Sequence, residues 1–197
     1  MEGKFIVVEG IDGAGKSTLI QTVLAIAGNA KVLHSRGFTH NSIWDETIHS
    51  NPHSWLYYVD LAVKTVRMVK PALTRREIVL QDRYVQTVDT FSPDCNWRHN
   101  QIIRKVLGPL FLKPDLYVQV TATREEITRR LSQSAPQEGY HAFLLQHPEE
   151  IEQRENNYRK LLTQMSCPKY VIDTTKRTAE DSGLEFIDLV RRELQCW

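Results

Sequence analysis

Apolar residues fall along this chain in two rhythms. Five short runs, residues 4–9, 31–34, 77–81, 116–120 and 170–172, hold apolar neighbours without alternation, as in "FIVV", "EIVL" and "YVQV". Strands buried on both faces between helical crossovers carry such runs; an antiparallel sheet with one wet face alternates instead. The stretches between the runs are long enough for helices, which predicts an α/β fold: a five-stranded parallel sheet flanked by helices in three layers.

The second rhythm is helical. A first helix is expected to begin at Gly15 or Lys16, run through "STLIQTVLAI" and stop at Gly28 and Asn29. Asn51 before Pro52 marks another start, followed by "WLYYVDLAVKTVRMV" and a stop near Pro71. In "TREEITRRL", Thr123 stands three residues before Glu126, the spacing of a capping box, and Glu126 and Arg130 share a face one turn apart. Residues 132–143, "SQSAPQEGYHAF", read as a polar flap ahead of the helical "PEEIEQRENNYRKLLTQM", and residues 180–194 as an amphipathic helix packed on the sheet. With no repeat and no low-complexity linker, residues 1–197 are expected to form one domain, with a lid around 130–155.

Composition narrows the partners. A formal net charge of +1 argues against nucleic-acid binding as the main activity. Cys95, Cys167 and Cys196 are odd in number and lack metal-ligand spacing, which fits a reducing, intracellular setting. No segment has the apolar length of a membrane span, and "MEGKFIVVEG" lacks a basic leader and a long apolar run. The expectation is a cytoplasmic protein with no membrane partner.

Chemistry enters with "GIDGAGKS", residues 10–17, a complete G-x-x-x-x-G-K-S phosphate loop between a predicted strand and helix. Loop N–H groups around Gly10, Gly13, Ala14, Gly15 and Thr18 are placed to cradle phosphates at a helix start. Lys16 has the reach for the β and γ phosphates of ATP, and Ser17 offers its hydroxyl to the magnesium ion between them. The "NKxD" of switch GTPases is absent and the chain is compact for a motor, which leaves a kinase or a noncatalytic nucleotide-binding module. "IVLQDRY", residues 78–84, favours the kinase: a strand delivers Asp82 and Arg83 to the sheet edge where such folds bind ligands. Asp82 is suited to organise magnesium or orient an acceptor, and Arg83 to neutralise a phosphate. A surface Asp–Arg pair is the plainer alternative.

With Glu9, Asp12, Lys16, Ser17 and "DRY" in hand, the sequence resembles the thymidylate kinase family of P-loop nucleoside monophosphate kinases, whose loop reads E-G-x-D-G-x-G-K-S/T. The resemblance continues more weakly through "DRYVQT", "PDLYVQVTATREEITRRL" and "KYVIDTT". It implies ATP and magnesium dependence, a flexible lid, often a homodimer, and a small-molecule phosphate acceptor. It assigns Asp12 to an acceptor sugar hydroxyl, Arg83 to the acceptor phosphate and Arg130 to the adenine ring. Arg124 and Arg129 precede the flap and Arg154 follows it; of these, Arg129 and Arg154 join Arg130 as lid candidates, each balanced against a solvated helix face.

The pattern also breaks. After the second strand the family carries R-E-P; here Arg36 remains, a candidate for the acceptor phosphate, but Gly37 and Phe38 replace the acid and proline. Tyr57 or Tyr58 supplies the aromatic expected to stack on the base, yet four positions onward stand Leu61 and Ala62 rather than a base-reading arginine. Thr87, Thr90, Phe91 and Ser92 replace the run after "DRY", leaving Thr87 as a substrate candidate and no glutamine near the base. A base edge left without its partner costs roughly 1–3 kcal/mol, which weakens thymidylate as the acceptor. The leading expectation is ATP-dependent transfer to a nucleoside monophosphate; the alternatives are a kinase of an unphosphorylated nucleoside or specialised metabolite, and the binding module.

Overall fold

The computed structural model describes residues 2–28, 31–36, 55–91, 98–134 and 140–196. The Gly37–Phe38 departure, Asn29, the helix start at Asn51–Pro52, Ser92 and Cys95 lie outside the described residues. Within them, β1 (Lys4–Glu9), β2 (Val32–Arg36), β3 (Ile78–Asp82), β4 (Leu116–Thr121) and β5 (Lys169–Asp173) form one parallel sheet in the order β2-β3-β1-β4-β5. The central strand β1 is buried from Phe5 to Glu9, which is why its apolar run is unbroken.

Alternation on β1 divides the core. Ile6 and Val8 face a layer built by α1 (Lys16–Ala27) and α9 (Ala179–Leu194), with Leu19, Ile20, Phe186 and Val190 buried against them. The two helices approach closely because Gly183 has no side chain; a Cβ there would stand 2.7 Å from Thr22 Cγ2. Phe5 and Val7 face the other layer, where Tyr57, Tyr58, Leu61 and Tyr84 are buried. Each fully buried aliphatic or aromatic side chain of this kind contributes about 1.5–3 kcal/mol.

The helix expected to stop near Pro71 does not stop there. α2 (Trp55–Lys64) passes through a π-helical turn, Thr65–Val69, into α3 (Lys70–Thr74), with Pro71 in the first turn of α3. The Lys70 N–H donates to Thr65 O, five residues back, and the Thr65 hydroxyl to Leu61 O at 2.7 Å. The wider turn lets a residue without an N–H follow without losing an α-helical bond, so the helix reaches Thr74. The remaining helices are α4 (Val85–Phe91), α5 (Arg98–Leu107), α6 (Arg124–Gln133), α7 (Tyr140–Gln146) and α8 (Glu149–Gln164). Among the described residues no helix is long and apolar enough to cross a membrane.

Candidate functional site

The turn from β1 into α1 takes a path open to glycine. Gly10 has φ 147°, and a Cβ on it would lie 2.1 Å from Val120 O, so the loop can pass β4 only with a bare Cα. Gly13 and Gly15 also have positive φ. α1 then begins at Lys16 with no side-chain cap, so its first-turn N–H groups are left to an anion or to solvent.

A cleft of about 400 Å³ lies over this turn, lined by Asp12, Gly13, Gly15, Lys16, Ser17, Thr18, Asp82, Arg83, Arg130 and His141 among others. Asp12 is its hub. Arg83 Nη2 pairs with Asp12 Oδ1; Lys16 Nζ lies 3.7 Å from the same oxygen and donates to Ile11 O at 3.0 Å. His141 Nε2, from α7, stands 3.8 Å from Asp12 Oδ2. Lys16 is buried, which pushes its pKa down against the pull of the nearby Asp82, Glu9 and Glu155 charges. Asp82 and Arg83 reach the cleft because β3 ends there, and Arg83 holds a left-handed φ of 65°.

Asp82 also bears on a metal. Its Oδ1 is buried with no hydrogen-bond donor among the described residues, while Oδ2 lies 3.9 Å from His34 Nε2. A carboxylate oxygen left without a donor, on a residue that lines the same cleft as Ser17, makes with its hydroxyl a donor set suited to magnesium, a hard cation that takes oxygen ligands.

Glu9, at the last position of β1, makes contacts that no sequence spacing announced. Fully buried, its Oε1 accepts the N–H of Tyr84 at 2.7 Å and of Thr87 at 3.1 Å, and its Oε2 accepts Thr87 Oγ1–H at 2.6 Å and the Tyr158 hydroxyl at 3.2 Å. Burial pushes the Glu9 pKa up, opposed by the Thr87 hydroxyl, the Tyr84 N–H and the charges of Arg83 and Lys16. Nearby, Glu155 Oε2 accepts from Gln119 Nε2 at 3.0 Å and Thr121 Oγ1 at 2.8 Å.

On the other flank, Arg130 bridges the loop and Thr174, the residue after β5. Its Nη1 donates to Gly13 O at 3.1 Å and Thr174 Oγ1 at 2.9 Å, and its Nη2 to Thr174 O at 2.8 Å. It borders a second cleft of about 200 Å³ between Gly15, Thr18, Thr174, Arg177 and Ser182. The capping box is half formed: Thr123 Oγ1 accepts the Glu126 N–H at 3.4 Å, but the Thr123 N–H donates to Thr175 Oγ1 instead. The Glu126 carboxylate is engaged elsewhere, taking Arg129 at 2.6 and 2.8 Å and Arg130 Nε at 2.7 Å.

The Arg129 bonds, with those of Arg130, hold the Glu126 pKa down at about 2 from an ordinary 4.5. A depressed carboxyl lends stability that is present above its unfolded pKa and is lost as pH falls toward its folded one. The stability gap between the wild type and Glu126→Gln, read from urea midpoints, is therefore expected to narrow between pH 4.5 and about 2. An equal gap across that window would show that the pair contributes nothing through charge.

The other expected site residues scatter. Arg36 ends β2 in register with Asp82. Tyr57 and Tyr58 are both buried, Tyr58 tilted against Phe111 with ring centroids 6.2 Å apart. Thr87 is buried on Glu9 and outside the cleft. Arg129 lies exposed, bonded to Glu126 and Gln133; Arg124 pairs with Glu152 at 2.9 Å. Arg154 is buried within α8, 3.3 Å from Glu150. The structure thus gathers Asp12, Lys16, Ser17, Asp82, Arg83 and Arg130 and sets the two tyrosines, Thr87, Arg129 and Arg154 apart from that cleft.

No family model matches the chain. Over 91 residues it is 36% identical to the thymidylate kinase of Coprothermobacter proteolyticus, a match that spans 42% of this chain and 47% of that one, so about half of the relative. A probable thymidylate kinase of Thermococcus gammatolerans is 25% identical over 214 residues, with 98% of each chain covered. The solved thymidylate kinase from Candida albicans shares the fold at a TM-score of 0.68 and 16% identity, over 97% of this chain and 92% of that one. Sequence and fold together place the chain in or near the superfamily of thymidylate kinases and other P-loop nucleoside monophosphate kinases, consistent with a divergent member, and its fold is kinase-like.

Proposed function

We propose that this protein transfers the terminal phosphoryl group of ATP to a nucleoside monophosphate. The observation that carries the reading is the pairing of Arg83 with Asp12 directly beside Lys16, which sets an acceptor-side cation against the phosphate loop within one cleft. An acceptor phosphate is already anionic near neutral pH, so the chemistry needs little base. The difficulty is bringing two anions into line, and fixed cations do that.

In this reading the loop N–H groups and Lys16 hold the ATP phosphates, Arg130 and the cleft beside Thr174 take the adenosine end, and Arg83 grips the acceptor phosphate. Ser17 and Asp82 would hold magnesium, which when bound neutralises charge on the phosphate oxygens. The lid would run from Arg130 to about residue 155, of which residues 135–139 lie outside the described residues; His141 within it stands 3.8 Å from Asp12. The unpartnered Asp82 Oδ1 favours a second reading, in which that carboxylate orients a hydroxyl acceptor that bears no phosphate.

The test offers ATP and magnesium with a panel of nucleoside monophosphates, nucleosides and small hydroxyl metabolites, and follows product mass. Gain of one phosphate by a nucleoside monophosphate is expected. Transfer confined to unphosphorylated acceptors would sink the monophosphate reading, and ATP binding with no transfer would leave a binding module.

A further inference from the structure

Arg83 is an awkward residue to aim. Its left-handed backbone is a conformation that side chains with a Cβ resist, and it persists only where the surroundings hold it. Two consecutive residues of β1 do so. Val8 O accepts the Arg83 N–H at 3.1 Å, and Glu9 Oε1 accepts the next N–H, that of Tyr84, at 2.7 Å. Tyr84 is also pinned at its far end: its hydroxyl accepts the Leu112 N–H at 2.8 Å and its ring stands edge-on to Phe5.

Glu9 closes the arrangement from beneath. It takes the Thr87 N–H and hydroxyl in the first turn of α4, and Tyr158 of α8 donates to Oε2, the oxygen that also takes the Thr87 hydroxyl. The guanidinium at the other end of Arg83 meets Asp12, three residues beyond Glu9. The segment that forms the phosphate loop therefore sets both ends of this arginine, its backbone through Val8 and Glu9 and its tip through Asp12.

We propose that Glu9 is the positioning residue for Arg83: by holding Tyr84 and Thr87 in place it fixes where the acceptor-side guanidinium stands, without touching a substrate. The role assigned to Arg83 rests on the phosphoryl-transfer reading; its placement by Glu9 does not. Reach matters more than charge here, because one carboxylate must span Tyr84, Thr87 and Tyr158 together.

Two variants separate reach from charge. Glu9→Gln keeps the length and a carbonyl acceptor for Tyr84, and the Thr87 and Tyr158 hydroxyls are able to turn and accept from its amide. Glu9→Asp keeps the charge and loses a methylene of reach. The readouts are the Arg83 side-chain Nε–H resonance, assigned by its loss in Arg83→Lys, and the KM values for acceptor and for ATP.

The Arg83 signal is expected to shift or broaden in Glu9→Asp and hold in Glu9→Gln, with the Arg130 signal steady in both. Acceptor KM should rise about tenfold in Glu9→Asp alone, with ATP KM within about twofold. An unchanged Arg83 signal in Glu9→Asp would overturn the proposal. So would parallel movement of the Arg130 signal, ATP affinity and melting temperature, which marks general loosening. If the wild type transfers phosphate to no acceptor, the functional reading falls and the resonance still judges Glu9.

Discussion

Replacing Lys16 with methionine is expected to lower kcat/KM for transfer by on the order of 10³-fold, about 4 kcal/mol of transition-state stabilisation, while the fold survives. The loss follows from what the ammonium group does in the cleft. It is bonded to the loop carbonyl Ile11 O and lies 3.7 Å from Asp12, and in the proposed transfer the charge that grows on the phosphoryl oxygens has no other lysine among the described residues that line the cleft. The fold should survive because methionine has nearly the length of lysine and its flexible, apolar side chain suits a buried position. Burial already disfavours the ammonium, so removing it also removes a desolvation cost. Steady-state kinetics beside a thermal melt check both halves. A variant that keeps more than about a tenth of the wild-type kcat/KM would remove Lys16 from its role.

Much of this arrangement was legible in the sequence, and the limits have physical causes. β1 was read to both ends because every residue from Phe5 to Glu9 is covered by a layer. β2 and β3 were read short at their C-terminal ends, where Ser35, Arg36 and Asp82 follow the apolar run. Asp82, at the polar end of β3, lines the cleft: an apolar pattern stops where a strand begins to present chemistry. The π turn before Pro71 escaped because a proline in a helical pattern ordinarily reads as a stop.

The arginines make the same point within one helix. Arg129 and Arg130 look alike as letters, yet about 100° of rotation separates neighbours on a helix. Arg130 consequently reaches Thr174, 44 residues away in sequence, while Arg129 turns to Glu126 at the surface. Sequence marks Glu9 only as part of the motif and gives neither it nor His141 a role, for a related reason. Glu9 is joined to Thr87 and Tyr158 across 78 and 149 residues, and His141 meets Asp12 from a stretch read as a polar flap. No local spacing encodes such contacts. Tyr57 and Tyr58 show the converse: helical geometry separates their directions, but α2 packs against both α4 and α5, so both directions lead to the interior.

Arg83 allows side chain and backbone to be tested apart. Arg83→Ala is expected to cut kcat/KM for the acceptor by roughly 10²- to 10³-fold, with ATP binding little changed, because it deletes the guanidinium opposite the phosphate loop. Alanine keeps a Cβ at φ 65°, however, so any loss could be charged to backbone strain. Arg83→Gly deletes the same guanidinium and relaxes that strain. Glycine should therefore be the more stable variant, by on the order of 1 kcal/mol or about 2–4 °C in melting temperature for a chain of this size. Both should show the same defect in acceptor use. Equal acceptor loss at unequal stability assigns the defect to the guanidinium; recovery of acceptor use in the glycine variant would assign it to the backbone and leave the acceptor phosphate to another cation of the cleft.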